Sequence, residues 1–204
     1  MKNTIQKAAL ALFGLVTFTG CVTEDDFSIP TIKPVLLIEN FDEVDFNQNL
    51  DYEGWINYAE AGSKLWIERD FNNDGYAQFS SYQSGDASNI GWLISPAIDL
   101  STAENVVLNF ESASNFVTNA ANKLEVLIST DFSGDEADIA TATWTVLDAE
   151  LADNTTNNYT YVPSGNIDLS AFTGMVHIAF KVTGNGNDQT GLFQVDKIKV
   201  LTLN

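Results

Sequence analysis

The sequence predicts an all-β protein built as a sandwich of two packed antiparallel sheets. About ten short segments alternate apolar and polar residues with the period of two that half-buried strands show. Loops rich in Gly, Asn, Asp and Ser separate these segments, and only residues 137–142 suggest a short helix. Many short strands with turn-rich connections are typical of two sheets packed face to face.

A repeated phrase leads into a strand twice. Ile98-Asp99-Leu100-Ser101 precedes the apolar run 106–110, and Ile167-Asp168-Leu169-Ser170 precedes the run 175–182. In each copy the aspartate and the serine can hydrogen-bond nearby backbone N–H groups and hold the chain in a turn. We therefore expect each copy to fix the register in which a strand enters a sheet.

The strands are predicted in chain order from their alternation. Residues 35–41 are apolar on both faces, which predicts a buried first strand. Asn73-Asp74-Gly75 predicts a hairpin turn, and Pro96 ends the strand before it. The predicted strands are residues 35–41, 64–71, 76–82, 92–94, 106–110, 124–128, 144–147, 159–162, 175–182 and 192–203.

Composition excludes two classes of partner. The chain has 204 residues, of which 45% are hydrophobic, so it is long enough to bury a core. Its formal net charge is −19, with nine Lys and Arg against 28 Asp and Glu. This acidity argues against binding of nucleic acid through a basic patch and against adsorption to an anionic membrane.

Residues 1–20 have the features of a lipoprotein signal peptide. Lys2 and Lys7 precede an apolar stretch, residues 8–19, that is too short to span a bilayer. The small residues before Cys21 resemble the bacterial lipobox, although Phe18 stands where Leu is usual. We predict that Cys21 is lipidated and becomes the mature N-terminus. The alternative is a signal peptide cut elsewhere, with a cysteine there by chance.

Residues 21–34 predict a tether, and residues 35–204 the folded domain. Glu24-Asp25-Asp26 resembles the acidic tag that sends some lipoproteins to the outer face of the outer membrane, and the alternative is a solvated linker. The predicted location is therefore the outer membrane, lipid-anchored and facing the exterior. Because Cys21 is the only cysteine, the domain has no disulfide and must rely on its core or on a metal.

Six short phrases occur in order along the domain. They are GWINY at 54–58, YAQFS at 76–80, WLISPAIDL at 92–100, STD at 129–131, SGNIDLS at 164–170 and QVDKIKV at 194–200. Their order resembles the choice-of-anchor J family, which is related to the cleaved adhesin domain, over roughly residues 35–203. The resemblance implies a jelly-roll sandwich attached to a secreted or surface protein, with structural calcium in related members.

Asp196 is the first candidate site residue. Alternation along the last predicted strand places it on the same face as Ile198 and Val200, towards the core, where a carboxylate needs a partner. In related jelly rolls an acid of the last strand and one near the first bind calcium. The resemblance therefore implies a Ca²⁺ site at Asp196 and Asp42, with Glu39 as a third oxygen donor. The alternative is an aspartate satisfied by backbone N–H groups in a bulge.

Two acidic loops carry weaker calcium patterns. Residues 70–75 match the opening of a calcium-binding loop, but Ser81 stands at the twelfth position, where that motif requires a glutamate. A hairpin turn is the favoured interpretation. Residues 131–138 form a second acidic loop, for which a solvated loop is the default.

The sequence offers little for catalysis. His177 is the only histidine, it shares a strand face with Met175 and Lys181, and no cysteine remains to pair with it. No Gly-x-Ser-x-Gly motif supports a serine hydrolase, and the abundance of acids does not itself indicate a glycosidase. We predict no catalytic residues.

A cluster of aromatic residues suggests a sugar-binding surface. Trp55, Tyr58, Trp66, Tyr76 and Tyr82 lie close together in the sequence among Asn, Gln and Asp residues. Aromatic rings stack on the apolar face of a pyranose, while amides and carboxylates bind its hydroxyl groups. The alternative is that the rings fill the space between the sheets, which is the favoured interpretation for the tryptophans.

These observations predict a surface lipoprotein with a non-catalytic module for binding or adhesion, with carbohydrate as one candidate ligand. An accessory or structural lipoprotein with a protein partner is the first alternative, and a hydrolase is the second. Exposed aromatics beside an acidic groove would favour glycans, whereas a bare apolar patch would favour a protein partner.

Overall fold

The computed structural model describes residues 35–203, so the predicted signal peptide, Cys21 and the tether lie outside the described part of the chain. One short 3₁₀ helix, Glu136–Asp138, occurs where a longer helix was predicted. No helix within residues 35–203 is long and apolar enough to cross a membrane. The strands are β1 (Val35–Glu39), β2 (Ile56–Ala61), β3 (Ile67–Phe71), β4 (Asp74–Ser80), β5 (Asn89–Ile94), β6 (Ile98–Asp99), β7 (Val106–Asn115), β8 (Lys123–Ser129), β9 (Thr145–Val146), β10 (Val162–Pro163), β11 (Ile167–Asp168), β12 (Met175–Gly184) and β13 (Leu192–Thr202).

The strands form two antiparallel sheets. The first sheet has the order β10-β7-β13-β4-β3, with β1 beside β13 and β11 beside β7. The second has the order β2-β5-β12-β8-β9, with β6 beside β12. The predicted two-sheet antiparallel sandwich is confirmed, although β2 was not predicted as a strand.

The core lies between the two sheets and is built from their inward-facing residues. Phe79, Leu108 and Phe193 of the first sheet and Phe180 of the second are almost completely buried. The rings of Phe110 and Phe180 meet edge to face across the interface, with centroids 5.0 Å apart. Each such side chain contributes about 1.5–3 kcal/mol by its removal from water.

The outer face of the second sheet carries a smaller apolar cluster of its own. The loop after β8 covers this face with Phe132, Ile139 and Trp144, which pack on Trp92. The ring centroids of Trp92 and Trp144 are 5.2 Å apart. Because this loop occupies the second sheet's outer face, the outer face of the first sheet is the better candidate for a ligand.

The two Ile-Asp-Leu-Ser copies form the predicted turns and exchange their strand partners. In each copy the aspartate Oδ1 accepts a bond from the backbone N–H of the serine two residues later, at 2.8 Å. β6, from the first copy, pairs with β12, which follows the second copy. β11, from the second copy, pairs with β7, which follows the first. The repeat therefore joins segments that are far apart in the chain.

The first strand is not buried as predicted. Val35 and Ile38 are 53% and 52% exposed. Of the strands in the described residues, β1 pairs with β13 alone, and so it lies at an edge of the first sheet. An edge position leaves apolar side chains exposed that a central strand would bury.

The β3–β4 hairpin turns one residue earlier than predicted. Asn72 and Asn73 form the turn, with φ of 57° and 63°, as a two-residue type I′ connection requires. Gly75 therefore belongs to β4, where an added Cβ would lie 1.8 Å from the carbonyl oxygen of Phe41. This glycine allows a close approach between the backbones of β4 and the loop after β1. The prediction of a hairpin rather than a calcium-binding loop at residues 70–75 agrees with the structure.

Candidate functional site on the outer face of the first sheet

The central strands of the first sheet present a polar outer face. Gln194 of β13 lies opposite Gln78 of β4 on one side and opposite Ala113 of β7 on the other. These residues alternate with Val195 and Phe79, which point into the core. We refer to Tyr76, Gln78, Glu111, Gln194, Asp196 and Tyr161 as the outer-face site.

A β-bulge places Asp196 on this face. Asp196 pairs with Glu111, whereas Lys199 pairs with Asn109, so β13 has one residue more than β7 between these two pairs. Lys197 has a φ of 54° and supplies the extra residue. Because of this extra residue, Ile198 points into the core while Asp196 points to the outer face of the sheet. The prediction that the two share a core-facing side is wrong.

The bulge also provides a partner for the carboxylate. Asp196 is 2% exposed, and its Oδ1 accepts a hydrogen bond of 2.6 Å from the backbone N–H of Lys197. Burial raises the pKa of Asp196 to about 7; Asp74 and Glu111 add to the rise, and the Lys197 N–H and ammonium group oppose it. This geometry matches the alternative to a calcium site, in which Asp196 is satisfied by a backbone N–H group in a bulge.

Lys197 is shared among three carboxylates. Its Nζ lies 3.4 Å from Glu111, 3.6 Å from Asp74 and 3.8 Å from Asp196. One ammonium group cannot neutralise all three, so this end of the outer-face site is acidic. Burial, followed by the charge of Asp196, raises the pKa of the Tyr161 phenol above its ordinary value. Tyr161 is therefore neutral and keeps a hydroxyl proton to donate.

Two buried amides form the floor of the site. Gln194 and Gln78 are 3% and 8% exposed, and Gln194 Nε2 donates to Gln78 Oε1 at 3.2 Å. This bond leaves the NH₂ group of Gln78 and the carbonyl oxygen of Gln194 for other partners. The pair therefore has one donor group and one acceptor oxygen that its own hydrogen bond does not use.

The three residues of the predicted calcium site do not converge. The carboxylate of Glu39 accepts bonds from the Phe41 N–H at 2.8 Å and from Trp55 Nε1 at 3.2 Å. Asp42 is exposed in the following loop, and Asp196 interacts with Asp74, Glu111 and Lys197 instead. Within residues 35–203, no group of three or more His, Cys, Asp or Glu is arranged to hold a metal ion. Calcium binding therefore stays a prediction without an assembled ligand set.

The residues of the predicted aromatic cluster do not lie together on one surface. Trp66 is completely buried, with its ring centroid 5.7 Å from that of Phe79, so its assignment to a ligand site is wrong. Trp55 is partly buried against Phe41, and Tyr58 packs into the cluster on the second sheet. Tyr76 is partly exposed at the outer-face site.

Tyr82, the remaining predicted aromatic, lies just beyond the end of β4 and is 60% exposed. Tyr161, Glu111 and the glutamine pair were not predicted as site residues. Alternation along β7 and β13 identifies Glu111 and Gln194 as polar residues on a non-core face. Which residues lie beside them on neighbouring strands, however, depends on the register between strands, which alternation within one strand does not give.

The sole histidine has a structural environment. His177 is buried on β12, its Nδ1 lies 2.9 Å from the carbonyl oxygen of Ser95, and its ring meets Phe132 edge to face. The nearby Ser129 hydroxyl donates to Asp131 at 2.8 Å. These contacts fix the loop that covers the second sheet.

The fold has counterparts among solved structures. The K1 cleaved adhesin domain of Lys-gingipain from Porphyromonas gingivalis W83 aligns with a TM-score of 0.52 and 17% identity, over 82% of this chain and 98% of that domain. The K3 cleaved adhesin domain of the same protein aligns with a TM-score of 0.53 and 15% identity, over 83% and 100%. A xylan-binding domain from Paenibacillus barcinonensis Xyn10C aligns with a TM-score of 0.46 and 14% identity, over 84% and 97%.

The likeness to cleaved adhesin domains confirms the jelly-roll fold that the sequence resemblance implied. No curated protein matches the sequence. The profile of the family described as "Domain of unknown function (DUF5017)" matches residues 65–204, most of the chain, and the chain belongs to that family.

Proposed function

We propose that residues 35–204 are a non-catalytic carbohydrate-binding module of a surface lipoprotein, and that the outer-face site binds the sugar. The observation that carries the proposal is the buried Gln78–Gln194 pair beside the buried Asp196, on the side of the sheet turned away from the core. The amides and the carboxylate match the hydroxyl rim of a sugar, and Tyr76 and Tyr161 offer rings for its apolar face.

The charge of the site favours a neutral glycan. Asp74, Glu111 and Asp196 surround the single ammonium group of Lys197. A sugar bearing carboxylate or sulfate groups would be repelled by this excess of negative charge. Neutral hydroxyl groups, in contrast, are good donors to carboxylates.

A protein partner is the second candidate, supported by a different surface. Val35 and Ile38 expose apolar side chains on the edge strand β1. An exposed edge strand can accept a further strand from another chain. This surface lies on β1 and shares no residue with the outer-face site, so mutation separates the two candidates.

The sugar proposal predicts a selective loss of binding. The full chain, purified in detergent, should bind neutral oligosaccharides on a glycan array. Tyr76→Ala should weaken that binding at least about tenfold, or about 1.4 kcal/mol, because it removes a stacking ring. Met175→Ala, at an exposed residue of the second sheet, is the matched control and should bind as the wild type does.

Melting temperatures measured on the same samples show whether Tyr76→Ala is folded. If the wild-type protein binds no neutral glycan on the array, the proposal is overturned and the protein partner at β1 becomes the favoured candidate. Binding that survives Tyr76→Ala would remove this site from consideration.

The predicted lipid anchor at Cys21 can be tested separately from sugar binding. Cys21→Ala blocks acylation, so we expect the protein to leave the membrane fraction or to accumulate as an uncleaved precursor. Thr23→Ala is the control and should fractionate as the wild type does. Whole-cell protease digestion of the wild type then reports whether the module faces outward. Membrane association that is unchanged in Cys21→Ala would disprove the lipoprotein assignment.

A further inference from the structure

A depression of about 470 Å³ lies at one end of the outer face of the first sheet. Its lining residues are Ser80, Tyr82, Phe116, Thr190, Gly191 and Leu192. Leu192 lies opposite Ser80 of β4 and Asn115 of β7, so the depression continues the row of strands that carries the outer-face site. Along β13, Leu192 is four residues from Asp196, or about 13 Å.

Exposed aromatic rings lie in and beside this depression: Tyr82 and Phe116 line it, and Tyr159 packs against Phe116. Tyr82, Phe116 and Tyr159 are 60%, 59% and 59% exposed, and Phe116 meets Tyr159 edge to face with centroids 5.9 Å apart. Three neighbouring aromatic side chains exposed to this degree form the kind of apolar patch that marks a binding surface.

Local hydrogen bonds hold these rings outward. Phe116 and Tyr159 have φ of 58° and 60°, a conformation that bulky residues adopt rarely and that is common at ligand sites. The backbone N–H of Phe116 donates to Asn158 Oδ1 at 2.7 Å, and that of Tyr159 donates to the Ser114 carbonyl at 3.4 Å. These bonds fix the backbone of the two loops that carry Phe116 and Tyr159.

The depression has the size and polarity of a sugar subsite. No charged side chain lines it, and Thr190 and Tyr82 contribute hydroxyl groups, while the Ser80 hydroxyl is already bonded to the Gly191 carbonyl. Its volume lies within the range of small-molecule pockets, about 300–1,000 Å³. A concave pocket of this size suits a single small ring, whereas stable protein interfaces extend over a much wider surface. These features favour one apolar sugar face over a protein surface.

We propose that this depression is a second sugar subsite, which takes the apolar face of a pyranose from the same chain that occupies the outer-face site. The inference rests on the proposed function and deepens it. Because the depression lies about 13 Å from the Asp196 end of the outer-face site, which is more than the length of one sugar ring, a ligand that reaches both is an extended neutral oligosaccharide. A monosaccharide can occupy either site but cannot link them, so chain length sets the affinity.

Calorimetry with a ladder of neutral cello-, manno- and xylo-oligosaccharides, from monosaccharide to hexasaccharide, tests this inference on the full chain. Affinity should rise with length and then level off. Phe116→Ala and Tyr82→Ala should each weaken binding of the longest chains at least tenfold while they change binding of the shortest chains little. Tyr82→Phe keeps the ring and should retain most of the affinity.

Phe71→Ala is the control and should bind as the wild type does, because Phe71 is an exposed aromatic residue, at 72%, but lies at the β3–β4 hairpin. Melting temperatures should be unchanged in all four variants. If Phe116→Ala and Tyr82→Ala bind long chains as the wild type does while Tyr76→Ala does not, the second subsite is refuted and the outer-face site stands. If no member of the ladder binds the wild-type protein, both proposals fail.

Discussion

We expect Asp196→Asn to stabilise the protein above about pH 7 and to leave its stability near pH 4 unchanged. The carboxyl pKa rises from an ordinary 3.8 to about 7 on folding. The folded protein therefore binds the proton more tightly than the unfolded chain, and stability present below about pH 4 is lost as the pH rises to about 7. A rise of about three pKa units corresponds to about 4 kcal/mol at alkaline pH.

Asparagine removes the charge without removing the hydrogen bond. Its Oδ1 can accept the Lys197 backbone N–H that Asp196 accepts at 2.6 Å. Lys197 keeps Glu111 and Asp74 as partners, at 3.4 Å and 3.6 Å. The free energy of unfolding should therefore rise at alkaline pH through relief of a buried charge, with little loss elsewhere.

Denaturant unfolding between about pH 4 and pH 8 measures the difference between wild type and variant. Asp99→Asn is the control, because Asp99 is exposed and the Ser101 hydrogen bonds lower its pKa. It should not reproduce the gain at alkaline pH. The same series with calcium and with chelator tests the metal prediction. If chelator destabilises the wild type, and Asp196→Asn is less stable than the wild type and no longer responds to chelator, Asp196 is restored as a calcium ligand.

Trp66→Ala should cost about 3–5 kcal/mol of unfolding free energy, whereas Tyr82→Ala should change it by less than about 0.5 kcal/mol. Trp66 is fully buried beside Phe79, so truncation leaves a cavity between the sheets. Its backbone is also fixed: Asn57 Oδ1 accepts its N–H at 3.0 Å, and Asn57 Nδ2 donates to its carbonyl at 2.8 Å. The surrounding structure has little freedom to close the cavity.

The paired measurement tests how the structure divides the predicted aromatic cluster into core and surface. Chemical denaturation midpoints of the two variants, with equal slopes, provide the comparison. Similar destabilisation by both substitutions would contradict the exposed position of Tyr82. A mild effect of Trp66→Ala would contradict the packing described for the core.

Much of the fold was predictable because it depends on local spacing. Alternation correctly places Leu108 and Phe110 on one face of β7 and Glu111 on the other, since successive side chains of a strand point to opposite sides. Strand ends were less accurate: β7 continues to Asn115, five residues beyond the predicted end. Polar residues such as Ser112 and Ser114 extend it because neighbouring strands supply their hydrogen bonds.

Local patterns in the chain were enough to predict the Ile-Asp-Leu-Ser turns, the two-sheet sandwich and the acidity of the protein. The turns at Asp99 and Asp168 form from residues two positions apart, and so short-range chemistry is sufficient. Three features could be read only from the folded chain: the two copies exchange partners, Trp66 is core while Tyr82 is surface, and Asp196 faces outward. Each of these depends on register between strands distant in the chain, and one extra residue at Lys197 is enough to reverse the face of Asp196.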